Sequence, residues 1–100
     1  MDYKILLGII KPDKISSWKE NDDPFDILDN TKDIKGINWI EFLHAAPNIF
    51  TDEVQVDWGS FAYKATKDQI KRLIEEHKAE IDDLDDLPDE NLGAVFIEMS

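Results

Sequence analysis

Apolar residues run almost without interruption through residues 3–10 (YKILLGII) and stop at Lys11-Pro12, the pattern of a strand covered on both faces. A central strand is predicted there. Residues 11–36 are polar and punctuated, with one local helix signal: Asp23 as N-cap, Pro24 at the first helical position, Asp26 at the third, and Phe25 and Leu28 on one side. That signal predicts a helix of about two turns.

Residues 38–46 admit two readings. Asn38 followed by Glu41 forms a capping-box pattern, and Trp39, Phe42, Leu43 and Ala46 recur at helical spacing before Pro47, which favours a short helix. A strand through residues 37–43 is the competing reading. Val54, Val56 and Trp58 then alternate with Glu53, Gln55 and Asp57, as in a strand with one wet face. After Gly59-Ser60 the alternation resumes at Phe61, Tyr63 and Ala65, giving either a hairpin or one strand bent by a bulge.

The longest helical pattern follows. Thr66 is placed to cap it, Ile70, Leu73, Ile74, His77 and Ile81 share a face, and Asp68 stands four residues before Arg72 for a surface ion pair, so a helix over about 67–80 is predicted. A last strand is predicted over 94–99, with Val95, Ile97 and Met99 on one side. With no internal repeat or linker, residues 1–100 read as a single α+β domain in two layers. Its expected parts are a mostly antiparallel sheet of 3–4 strands, one long helix and one or two short helices.

Charge adds the feature with the most bearing on function. The chain carries a formal net charge of −12, and residues 80–90 (EIDDLDDLPDE) hold seven carboxylates and no base. Residues 20–58 and 80–100 each sum to −8, whereas the intervening 59–79 and the first nineteen residues are mildly positive. A surface of this sign repels nucleic-acid backbone and anionic membranes, so neither is an expected partner. Glu80, Asp82 and Asp83 are expected at the carbonyl end of the long helix, where each acid costs ~0.3–1 kcal/mol against the macrodipole, which argues for a role beyond solubility. A second acidic group, Glu20, Asp22, Asp23, Asp26, Asp29 and Asp33, surrounds the expected short helix and extends the negative face if the fold brings the two together.

Candidate chemistry is sparse. Cysteine is absent, which removes disulfides and thiolate sites and fits a reducing compartment; no basic, apolar leader precedes residue 10, and cytoplasm is the expected location. A calcium loop of the EF-hand kind needs a glycine at its sixth position, but starts at Asp82, Asp83 or Asp85 put Leu87, Pro88 or Glu90 there. The two histidines, His44 and His77, are far apart in sequence and read as structural, so no metal site is expected. Ser16, Ser17, Ser60 and Ser100 lack a nucleophile motif, and the isolated glycines 8, 36, 59 and 93 form no phosphate loop. The expectation is a protein without catalytic residues or cofactor, and not an enzyme.

Trp39 and Trp58 fall on apolar faces and are expected in the core. Trp18, in the polar segment ISSWKEND, either covers an edge of the core or stands out as an interface anchor. The functional expectation is a small acidic binding protein that docks on a basic protein partner through Asp82, Asp83, Asp85, Asp86, Asp89 and Glu90, with Trp18 as the apolar anchor. It shares size and charge with toxin-neutralising immunity proteins and phage-encoded nucleic-acid mimics, a similarity of class carried by no motif. Two rival expectations are an accessory subunit whose acidity only provides solubility, and a carboxylate-dependent metal hydrolase.

Overall fold

A computed structural model of the chain describes residues 3–20, 26–57 and 60–98. Five strands form one sheet: β1 (Tyr3–Ile10), β2 (Leu28–Asp33), β3 (Thr51–Asp57), β4 (Ser60–Ala65) and β5 (Leu92–Glu98). They lie in the order β2-β1-β5-β4-β3, and every neighbouring pair is antiparallel. Two helices, α1 (Trp39–Ile49) and α2 (Lys67–His77), complete an α+β architecture.

Burial follows the apolar pattern where that pattern is strongest. β5 occupies the middle of the sheet and is buried from Leu92 through Ile97, while β1 lies beside it, paired from Tyr3 opposite Glu98 to Ile9 opposite Leu92. One face of these strands contributes Ile5, Leu7, Ala94 and Phe96 to a core shared with Phe42, Ala46 and Ile49 of α1 and Ile70 and Leu73 of α2. The other face carries a second cluster, Leu6, Ile10, Ala62, Val95 and Ile97, which Trp18, Ile27 and Leu28 cover. The segment after β1 therefore serves as a partial third layer on the face opposite the helices.

Two glycines make room for that layer. Gly8 and Gly93 stand opposite each other on β1 and β5. A Cβ on Gly93 would come within 2.7 Å of the Leu28 Cδ2 and 3.1 Å of the Trp18 Cη2, and one on Gly8 within 2.9 Å of the Leu28 Cβ. Side chains at either position would occupy the trough that Leu28 and Trp18 fill.

β2 is the strand missing from the sequence expectation of 3–4. Its residues LDNTKD have one apolar member, and only Leu28 is fully buried, so neither alternation nor β-branching marks it. It is a strand because β1 has a free edge to be paired, and a register shift between Leu7 and Ile9, with Asn30 at φ 52°, bends it. Asp26 and Ile27 form a turn ahead of it, so the expected two-turn helix does not extend into the described residues; Asp23, Pro24 and Phe25 lie outside them. β3, the other edge, is also bulged and carries exposed Asp52 and Glu53, features that discourage pairing with another chain.

The helical reading of 38–46 holds, with the Asn38 side chain accepting from the Glu41 N–H at 2.8 Å. Pro47 does not end α1, because it removes a single donor within the last turn and its fixed φ suits a helix; the chain leaves only after Ile49, where the Phe50 N–H reaches the Ala46 carbonyl. Of the hairpin and the bent single strand, the hairpin is found: β3 and β4 pair antiparallel, with Asp57 opposite Ser60. At α2, the Thr66 hydroxyl accepts from the Gln69 N–H and the Gln69 side chain from the Thr66 N–H, a complete capping box. The helix stops at His77, since Lys78 is left-handed at φ 58°, three residues short of the expected 80. Arg72 pairs with Glu76, one turn onward, instead of with the expected Asp68.

Candidate functional site

Past α2 the chain forms a loop with an apolar underside and an acidic exterior. Ile81, Leu84 and Leu87 recur every third residue, the repeat of a 3-10 turn, which the chain adopts at Leu84–Asp86. Leu87 is buried and Ile81 and Leu84 are half-buried against the helix-side core, while Asp82, Asp83, Asp85 and Asp86 are exposed. This spacing was the available sequence signal that the stretch is seated on the fold rather than free in solvent.

Backbone hydrogen bonds hold the loop at both ends. Glu80 and Lys35 exchange them in both directions, at 2.7 and 2.9 Å; the Lys67 N–H donates to the Asp89 carbonyl at 2.8 Å, and the Ile10 N–H to the Asn91 carbonyl at 2.9 Å. Asp86 and Leu87 donate back to Asp83 and Leu84, closing the turn. The carboxylates are thus displayed from a backbone attached to β1, to both ends of α2 and to the segment after β2.

Two of the seven carboxylates have basic partners: Lys35 Nζ lies 3.3 Å from Asp82, and Lys67 Nζ lies 3.8 Å from Asp89. Both pairs are solvent-exposed on the acid side, where such contacts contribute little stability. Among the described residues, Glu80, Asp83, Asp85, Asp86 and Glu90 have no lysine or arginine within ion-pair distance. The expected conflict with the helix dipole is removed by the early helix end. Glu80, Asp82 and Asp83 lie beyond the last turn, which instead carries His77 followed by Lys78, and the dipole effect is confined to that turn.

The second acidic group meets the loop in part. Asn30, Thr31 and Lys32 of β2 line a shallow hollow together with Asp86 and Leu87, so the strand bearing exposed Asp29 and Asp33 runs beside the loop. Glu20 belongs to a different hollow, with Trp18, Lys19, Asp52 and Lys64. Asp26 is exposed at the turn before β2, and Asp22 and Asp23 lie outside the described residues.

Trp18 is 3% exposed, and its indole N–H donates to the Asp52 carbonyl at 2.9 Å. Of the two expected roles it has the structural one, over Gly93, and it offers no anchor to a partner. Trp39, expected in the core, is instead 39% exposed, and the adjacent Ile40 is 51% exposed. The cause is position: they open α1 at the margin of the helix layer, where the indole stacks on Tyr3 at 4.6 Å with Phe96 behind, while the next turn supplies buried Phe42. Trp58 lies outside the described residues.

His77 Nδ1 lies 3.0 Å from the Glu41 carboxylate, joining the end of α2 to the start of α1, and His44 is exposed elsewhere on α1. Among the described residues no three histidine, aspartate or glutamate side chains converge as metal ligands. The buried Tyr63 hydroxyl donates to Glu53 at 2.7 Å; burial first, then this carboxylate, pushes its pKa far above the usual phenol range, which keeps it protonated. No described helix is long and apolar enough to cross a membrane. Protein-family models, curated proteins and solved structures yield no match to this chain.

Proposed function

We propose that this is a small acidic binding protein that docks its carboxylate-rich loop on a basic partner protein, as an inhibitor or immunity-type protein does when it occludes a nucleic-acid-binding surface. The observation that carries the reading is the pinned display: apolar Ile81, Leu84 and Leu87 seat the loop while Asp82, Asp83, Asp85 and Asp86 face water. A loop already ordered loses less conformational freedom on binding than a disordered acidic tail. The interaction is electrostatic and steric, without chemistry. Asp82, Asp83, Asp85, Asp86, Asp89 and Glu90 attract lysine and arginine, which accelerates encounter and makes association salt-sensitive. A cytoplasmic setting suits a cysteine-free chain of this kind.

The test is capture of partners from host lysate at low ionic strength, followed by affinity measurement with the purified partner. Neutralising Asp82, Asp83, Asp85 and Asp86 to asparagine and serine should weaken binding steeply, and raising the salt concentration should do the same. Binding indifferent to both changes would sink the proposal and leave the accessory-subunit reading, in which the acidity serves solubility.

A further inference from the structure

We infer that Trp39 and Ile40 form an apolar anchor beside the acidic loop, receiving an aliphatic or aromatic side chain that the basic partner presents between lysines or arginines. This rests on the docking role proposed for the loop and supplies the anchor that buried Trp18 does not provide. Among the described residues, Trp39 and Ile40 are the large apolar side chains left exposed, at 39% and 51%, and they are adjacent. Trp39 is held by Tyr3 at 4.6 Å, and Tyr3 by Phe96 at 5.1 Å, so the indole has little rotamer freedom left to lose when a partner covers it. Tryptophan is among the residues most enriched at interface hot spots.

The patch begins a few residues along the chain from the loop's anchorage. Lys35 pairs with Glu80, the first acid of the run; Gly36 lies against the Glu80 side chain; and Trp39 opens α1 three residues later. Lys35 is engaged by Asp82 and Glu41 by His77, whereas Glu80 and Asp83 of the loop have no lysine or arginine partner among the described residues. A second copy of the chain is a poor occupant, because each copy carries −12. The exposed parts of the two side chains would also bury only on the order of 200 Å² per copy, against about 800 Å² per partner in a stable interface. A basic partner meets attraction in place of repulsion and needs the patch only as one anchor within a larger contact.

The test uses two synthetic lysine-rich peptides of equal charge, one with leucines at helical spacing and one with serines in their places, titrated into the full chain at low ionic strength. The leucine peptide should bind about tenfold more tightly, the gain expected when only about a quarter of that exposed apolar surface is covered. Ile40→Ser should remove most of that gain while leaving the serine peptide unaffected, and the Trp39 indole N–H resonance should shift with the leucine peptide alone. Equal affinity for the two peptides, or a preference that survives Ile40→Ser, overturns the anchor. In that case the acidic face still stands if both affinities fall in the chain with Asp82, Asp83, Asp85 and Asp86 neutralised. A leucine peptide held equally well by the neutralised chain overturns the acidic-face reading and the choice of a basic occupant with it; failure of both peptides to bind overturns anchor and face together.

Discussion

Replacing Gly8 by alanine tests why the polar segment Leu28–Asp33 is a strand at all. The added Cβ would stand 2.9 Å from the Leu28 Cβ, 3.1 Å from the Thr31 Cγ2 and 3.2 Å from the Asp29 carbonyl oxygen. Only the Thr31 methyl can rotate away; the other two atoms move only if the β2 backbone moves. Alanine brings a gain of about 0.5–1 kcal/mol by restricting the unfolded chain, whereas overpacking of a closed site costs about 1–3 kcal/mol. Because two of the three contacts are with atoms fixed to the backbone, the steric cost should win by about 1–2 kcal/mol. In urea unfolding, where a small domain loses about 1–3 kcal/mol per molar, the midpoint should fall by roughly 0.3–2 M. Hydrogen exchange should accelerate most in β2, the strand displaced. Adding Thr31→Ser should restore only a small part of the loss, because the Leu28 and Asp29 contacts remain. A midpoint unchanged or raised in Gly8→Ala would refute the claim that close approach at Gly8 positions β2.

Two further outcomes follow from the buried polar groups. Trp18→Phe keeps a ring over Gly93 but removes the donor to the Asp52 carbonyl, and should cost about 1 kcal/mol in chemical denaturation; a neutral result would mean that packing alone holds the segment after β1. Tyr63 has a folded pKa raised above its unfolded value of about 10, so its contribution to stability is complete below that pH and declines as the pH rises further. Unfolding followed against alkaline pH should therefore show a loss that Tyr63→Phe abolishes, and the same slope in both chains would contradict this assignment.

The sequence was most legible where a local pattern met a local physical need. The apolar runs at β1 and β5 require cover on both faces, and the Asn38 and Thr66 caps each satisfy helix donors that nothing else nearby can satisfy. It was least legible at β2 and at the exit from α2. A polar edge strand draws its stability from a neighbour 18 to 27 residues away along the chain, so local pattern says little about it. The helix end depended on Lys78 adopting a left-handed conformation without a glycine to mark it, and that single residue moved the acidic run away from the helix dipole.

The candidate site divides in the same way. Seven carboxylates over residues 80–90 are a property of the sequence, and the threefold spacing of Ile81, Leu84 and Leu87 already contained the separation of apolar from acidic sides. Local composition therefore determined that an acidic surface exists, as it determined the two caps and the strands buried on both faces. Only the tertiary structure decided that Lys35 and Glu80 pair, that β2 runs beside the loop, that Trp18 is consumed by the core and that Trp39 is left at its margin. The physical reason is that exposure depends on which distant surface arrives to cover a side chain. Trp18 finds a trough opened by two glycines, whereas Trp39 finds Tyr3 and Phe96 on one side and water on the rest.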